Sequence, residues 1–193
     1  VTVIENQALG GVCLNWGCIP SKALLSVVEL GDKVKKSADL GLLVEGAVTY
    51  DPARMVARKN KVVEGLVKGI ATLFKTWGIA HLEGTGELLD ARSLRVVRRD
   101  GGEETVRADA IVIATGSSWP NLPLFPVDGK QIITSKEALD LETVPAGLLI
   151  VVSAPSGAGK TSISREFMRE FPDVRFSVSF TTRPKRPNEK HGV

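Results

Sequence analysis

Apolar residues recur at helical spacing over two early stretches of the chain and at strand spacing over much of the remainder. The first five residues, VTVIE, read as an apolar strand closing on an acid. Pro20 to about Ala38 reads as a helix carrying Leu24, Leu25, Val28 and Leu30, with Lys33, Lys35 and Lys36 in its last turns, where the helix dipole favours cations. A second helix opens with Asp51 as N-cap and Pro52 at its first position. Met55, Val62, Leu66, Ile70, Leu73 and Trp77 keep the helical period until Gly78 ends it, and Met55 and Trp77 are expected in the core.

Beyond Gly78 the pattern turns to strands: Ile79 to Glu83, Leu94 to Arg98, a turn at Asp100 to Gly102, Thr105 to Arg107, and a buried run from Ala110 to Ala114. Charges alternate with Val and Leu in the middle of this set, as in a solvated hairpin layer. A last apolar strand, Leu148 to Val152, leads through a glycine-containing loop into a helix ending near Phe171. The basic, proline-marked end of the chain carries no hydrophobic period. Helices between strands make this an α/β chain.

Composition narrows the class without naming a function. With 193 residues, 43% hydrophobic and 24% charged, the chain has an ordinary globular balance and room for one or two domains. Ile111 to Ala114 and Leu148 to Val152 are too short to span a bilayer, and no charged-then-apolar leader opens the chain, so a cytoplasmic setting with no membrane partner is expected. A net charge of +3 does not argue for nucleic acid. Basic residues nevertheless crowd the end: Arg165, Arg169, Arg175, Arg183, Lys185, Arg186 and Lys190. The chain begins at Val1 and stops between elements at Val193, as a piece of a longer protein would.

Cys13 and Cys18 are the two cysteines of the chain, set behind Gly10 and Gly11 in GGVCLNWGCIPSK. A disulfide needs Cα atoms about 4.4–6.8 Å apart, whereas five residues of regular helix rise about 7.5 Å, so the pair fits only across an irregular first turn at Gly17 and Pro20. A helix N-terminus there is expected to favour thiolate and exchange chemistry. Two unpaired, mostly buried thiols are the alternative on spacing alone.

The longer segment GGVCLNWGCIPSKALL resembles the redox-active disulfide of the flavin-dependent pyridine nucleotide-disulfide oxidoreductases, and Leu14, Asn15, Ile19 and Ser21 place it near the dihydrolipoamide dehydrogenase branch. That resemblance implies a Rossmann-like FAD domain with a β-hairpin layer, a redox pair Cys13–Cys18, and FAD and NAD as cofactors. It implies cofactor contacts by Glu5 to the adenosine ribose, by Gly11, by Lys22 near the flavin ring, by Gly86 beside Gly84 near the adenine half, and by Thr115, Gly116 and Ser117 in IVIATGSSWP. The glycine-rich turn that should precede Glu5 is absent from the sequence, as is the interface domain through which the family dimerises. His81 and His191 match no part of the family's histidine–glutamate pair. The implied substrate is a dithiol such as lipoamide.

After ITSKEALDLETVP such an enzyme should enter an NAD-binding turn, but SAPSGAGKTS gives only a degenerate version, with Gly157, Gly159 and Ser162. A P-loop fits better: Ala154, Pro155, Ser156, Gly157, Ala158, Gly159, Lys160 and Thr161 would surround the phosphates of ATP, with the Thr161 hydroxyl on magnesium. GLLIVVSAPSGAGKTS and VSFTTRPKRP resemble the start of guanylate kinase, which implies GMP contacts by Ser179, Arg183 and Arg186. A solvated charge run is the alternative for that basic end.

Two units are therefore expected: residues 1–146, a partial FAD and redox-disulfide domain, and residues 147–193, a partial P-loop segment. A join of two unrelated coding pieces is preferred over an oxidoreductase with a foreign loop. The leading function is the flavin-dependent disulfide oxidoreductase, with guanylate kinase, or a non-catalytic nucleotide-binding fragment, as alternatives. Neither activity is expected from the chain as it stands, because each lacks partners that its chemistry requires.

Overall fold

A computed structural model describes residues 1–119, 126–148, 150, 160–171, 173 and 174. The chain divides into two compact units, Val1–Val144 and Pro145–Val193. In the first unit, strand β1 (Thr2–Glu5) is followed by helices α1 (Gly11–Trp16) and α2 (Cys18–Lys35), a 3-10 turn at Ser37–Leu40 and the long helix α3 (Pro52–Thr76). Strands β2 (Ala80–Asp90), β3 (Ser93–Arg98) and β4 (Glu103–Arg107) come next, then a short helix α4 (Ser135–Ala138).

The four strands form one sheet in the order β1-β2-β3-β4. β1 lies parallel to the start of β2, with Thr2 opposite Ala80 and Glu5 opposite Glu83, so α1 to α3 form the crossover that parallel pairing requires. The rest of β2 turns antiparallel onto β3, which pairs in turn with β4. Asp90 accepts the Arg92 N–H at 2.7 Å in one turn, and Asp100 accepts the Gly102 N–H at 3.0 Å in the other. Val96, at the centre of the hairpin layer, is fully buried.

Helix α3 begins as its sequence requires: the Asp51 side chain accepts the Arg54 N–H at 3.0 Å, and Pro52 stands at the first position. It ends at Gly78, which adopts φ +62 while Ile79 donates to the Phe74 carbonyl and Gly78 to that of Lys75. The buried face differs from the one predicted. Val56 and Lys59 are buried and Val63, Val67, Ile70 and Phe74 half-buried, while Val62, Leu66 and Leu73 are exposed and Trp77 is 71% exposed. Met55 is half-buried, so Trp77 is the core assignment that fails. The helix carries two adjacent apolar rows, and the one beginning at Val56 meets α2, where Pro20, Ala23 and Gly31 are buried.

Both the segment before α3 and α3 itself lie against α2. Gly31 faces Tyr50 so closely that a Cβ there would lie 2.2 Å from the phenolic oxygen, and Arg58 of α3 donates to the Ala23 carbonyl at 2.9 Å. Helix α2 starts at Cys18, two residues ahead of the predicted Pro20. The stretch Gly11–Lys35 reaches a mean hydropathy of 1.3, enough by length and composition to cross a membrane, but Gly17 interrupts it and one face of α2 packs on α3.

Ala110 to Ala114, predicted as a buried strand, forms none: Val112 is 87% and Ile113 69% exposed. A parallel-sheet strand needs backbone partners, and no described strand pairs with this run. In the second unit, helix α5 (Lys160–Glu170) agrees with the predicted helix, and Phe167 lies 4.8 Å from Phe171, centroid to centroid. At Leu148 and Ile150 no strand is present; the rest of the predicted strand Leu148 to Val152 lies outside the described residues.

Candidate functional site

Two glycines launch the turn that carries the thiols. Gly10 and Gly11 take φ +100 and +63, and a Cβ on Gly10 would meet Leu14 at 2.7 Å, so only glycine fits there. The Asn15 amide then ties the first turn back, donating to the carbonyls of Leu9 at 3.0 Å and Gly11 at 2.9 Å. At Gly17 the helix breaks, and α2 restarts with Cys18 at its first position. The Ser21 hydroxyl donates to the Gly17 carbonyl at 2.7 Å and closes the new turn.

This break brings Cys13 and Cys18 within hydrogen-bonding reach, both exposed and both as free thiols. Spacing left open an inert, buried pair; exposure of both thiols removes that option. The effect on acidity is the reverse of the one predicted. The hydrogen bond with Cys13 pushes the Cys18 thiol above its ordinary 9.0, and burial of its surroundings and the charge of Cys13 add to this. Lys22, exposed one turn further on, draws it down least of the contributing groups. The proximity of a second thiol thus outweighs the helix N-terminus.

The other predicted contacts lie on β1, on β2 and on the stretch after β4. The Glu5 carboxylate accepts the Gln7 N–H at 2.7 Å. Its loop is held by Arg99, which donates to the carbonyls of Asn6 at 2.7 Å and Gln7 at 2.8 Å. Gly86 is exposed in β2 opposite Val96, and a Cβ there would meet Leu94 and Ile4 at ordinary contact distance. Gly84 is the constrained member of that pair, since a Cβ on it would lie 2.4 Å from the Val97 carbonyl oxygen. Thr115, Gly116 and Ser117 lie on an exposed stretch outside any strand, Gly116 with φ +70.

Two clefts, of about 450 and 350 Å³, lie at the hairpin ends, lined by residues such as Asp90, Arg107, Leu88 and Ile113. Neither touches the thiols, Glu5, Lys22 or Thr115 to Ser117. Of the predicted site residues, the described structure thus brings the two thiols together on one turn, and these two clefts do not reach the predicted flavin contacts. Of the phosphate-loop residues, Ala154, Pro155, Ser156, Gly157, Ala158 and Gly159 lie outside the described residues, as do Ser179, Arg183 and Arg186. Lys160 and Thr161 open α5.

One constellation escaped the sequence reading. Trp16, the last residue of α1, meets Trp119 edge to face, with centroids 6.3 Å apart. Lys136 of α4 stands over both rings, at 4.8 and 5.8 Å, and the Trp119 indole N–H donates to the Ser135 hydroxyl at 2.8 Å. More than a hundred positions separate the two tryptophans, and no local pattern signals such a contact.

Comparison with known proteins settles the class. The sequence pattern of the pyridine nucleotide-disulphide oxidoreductase family matches residues 1–164. The chain belongs to this family. It is 41% identical over 152 residues to dihydrolipoyl dehydrogenase of Bacillus subtilis, covering 78% of this chain and 33% of that protein. With dihydrolipoyl dehydrogenase of Chlorobaculum tepidum the identity is 40% over 201 residues, 99% of this chain and 42% of the relative. The crystal structure of LpdA from Mycobacterium tuberculosis superposes with a TM-score of 0.68 at 27% identity, covering 75% of this chain and 32% of the other. The chain thus spans roughly a third to two fifths of the length of these relatives. The guanylate kinase pattern matches residues 147–193, so residues 147–164 answer to both families.

Proposed function

We propose that this chain carries the redox-active dithiol of a dihydrolipoyl dehydrogenase-type flavoenzyme, acting in the cytoplasm on a lipoyl or other small dithiol. The observation that carries the reading is the paired, exposed Cys13 and Cys18 across the Gly17 break, within a family whose members here are dihydrolipoyl dehydrogenases. A substrate dithiolate attacks the Cys13–Cys18 disulfide, passes through a mixed disulfide and leaves as its own cyclic disulfide, with both cysteines reduced. In this reading FAD and NAD are the cofactors that would supply the acceptor for those two electrons, and the homodimer belongs to the same reading.

The reverse exchange is the test. The reduced chain is mixed with oxidised lipoamide, and peptide mass spectrometry follows a Cys13–Cys18 crosslink and the loss of two hydrogens while dihydrolipoamide is released. Formation of the Cys13–Cys18 crosslink with release of dihydrolipoamide supports the proposal; a lipoamide adduct that persists on one cysteine with no crosslink refutes it.

For residues 147–193 the proposal is a guanylate kinase-like phosphate loop, with ATP and magnesium at Lys160 and Thr161 and GMP as acceptor. The match to that family and the start of α5 at Lys160 support it. A melting shift with magnesium-ATP that Lys160→Ala abolishes is the expected result, and an identical shift in both proteins removes this reading.

A further inference from the structure

Helix α1 is short, and its two ends are held differently. Its N-terminal turn is tied by Asn15 to the Leu9 and Gly11 carbonyls. Its last residue, Trp16, is held through a distant part of the chain by the Trp119 ring and the Lys136 ammonium. Cys13 lies one turn before Trp16 on α1, and Cys18 lies two residues after it, beyond Gly17. Movement of Trp16 therefore changes the angle between the segments that carry the two thiols.

The clamp that holds Trp16 is itself fixed at both ends. Before α4, the Thr134 hydroxyl accepts the Lys136 N–H at 3.2 Å, and the Glu137 carboxylate accepts the Thr134 N–H at 2.7 Å, a reciprocal cap that presets the helix. After α4, Asp140 pairs with Lys59, whose ammonium is buried on α3. The Trp119 indole N–H is secured by Ser135. Segment Thr134–Asp140 is therefore a strut between α1 and α3, and Lys136 is the side chain by which it reaches Trp16.

We propose that Lys136 is a positioning residue for the dithiol: standing over both Trp16 and Trp119, it holds the end of α1 and so sets how closely Cys13 approaches Cys18. This deepens the proposed dithiol function and rests on it. An ammonium standing over two rings resists sideways displacement of either, whereas an aliphatic side chain of similar length offers no such electrostatic hold.

The test is the equilibrium between the reduced chain plus glutathione disulfide and the Cys13–Cys18 disulfide plus two glutathiones, read by alkylation and mass spectrometry. It needs neither flavin nor lipoamide. Lys136→Met lowers the equilibrium constant about tenfold, which for this two-electron couple is a potential about 30 mV less negative. Lys136→Arg stays within about twofold of the parent, because guanidinium also stacks on aromatic faces. Trp119→Phe, which keeps a ring but loses the donor to Ser135, shifts it in the same direction as Lys136→Met, by about threefold. Thermal melting accompanies each variant, and if Lys136→Met does not fold, Trp119→Phe decides.

An unchanged constant in the folded Lys136→Met protein overturns the inference, as do equal shifts in the Met and Arg variants. If the parent forms no Cys13–Cys18 disulfide at any glutathione ratio, the dithiol function itself fails. If the disulfide forms but is indifferent to Lys136, only the positioning role is lost.

Discussion

A side chain on Gly17 would begin 3.1 Å from the Cα of Cys13, so the close return of α2 on α1 leaves no slack there and would have to open by a few tenths of an ångström to admit one. The Val12 carbonyl oxygen is equally near, at 3.1 Å, and neither backbone atom can rotate away. Juxtaposition of the thiols is thus a backbone property of the turn, made before any cysteine side chain is placed.

Gly17→Ala is accordingly expected to force Cys13 and Cys18 apart and to destabilise the first unit by about 1–3 kcal/mol. Urea unfolding measures the second effect, and the glutathione equilibrium the first. A variant with parental stability and parental disulfide equilibrium shows that the turn relaxes at no cost.

The pH dependence of Cys18 has a definite sign. Its thiol is raised above 9.0 chiefly by the hydrogen bond with Cys13, so iodoacetamide modification of Cys18 has its inflection above that of an ordinary cysteine. Cys13→Ala removes the largest cause and brings the inflection down. A folded-state pKa above the unfolded one favours the fold while the thiol is protonated; this contribution is complete below 9.0 and fades as pH rises through the folded value. An inflection for Cys18 below that of free cysteine contradicts the geometry.

The strut has its own acid limit. Hydrogen bonds from the Thr134 hydroxyl and backbone lower the Glu137 pKa below 4.5, so its contribution is present above 4.5 and is lost as pH falls through the lower folded value. Thr134→Ala is expected to cost about 1 kcal/mol by removing the cap. Tryptophan emission, read against pH, reports release of Trp119 from Ser135 in both cases, and an acid transition of the same midpoint in the variant refutes the role of this cap.

Lys59 and Asp140 are unequal partners: the lysine side chain is 4% exposed and the aspartate 56%. Asp140→Ala strands a buried ammonium and is expected to cost about 1–3 kcal/mol, reduced from the value of a fully buried pair because solvent reaches the carboxylate. Lys59→Met keeps the stem's packing and leaves an exposed carboxylate, at a cost below about 1 kcal/mol. Urea midpoints decide, and the reverse order of the two variants would show that the pair is held by something other than burial of the amine.

The start of α3 at Asp51 and Pro52, its end at Gly78 and the hairpin turn at Asp100 were legible from the sequence. Each depends on a backbone angle or a hydrogen bond within a few residues, and residue type alone dictates both. The thiol pair was legible in part: spacing left an inert pair open and the family resemblance favoured a redox pair, while helix α1, the restart of α2 at Cys18 and the turn at Asp90 emerged only from the structure.

The burial of one apolar row of α3, the exposure of Trp77, the absence of a strand at Ala110 to Ala114 and the meeting of Trp16, Trp119 and Lys136 were decided by tertiary structure. An apolar row becomes core, and an apolar run becomes a strand, only when another element supplies the matching surface or ladder. Here α2 packs on α3, Asp140 pairs with the buried Lys59, and no described strand supplies a ladder for Val112 and Ile113. Local chemistry placed the thiols together; long-range packing determines what holds them there.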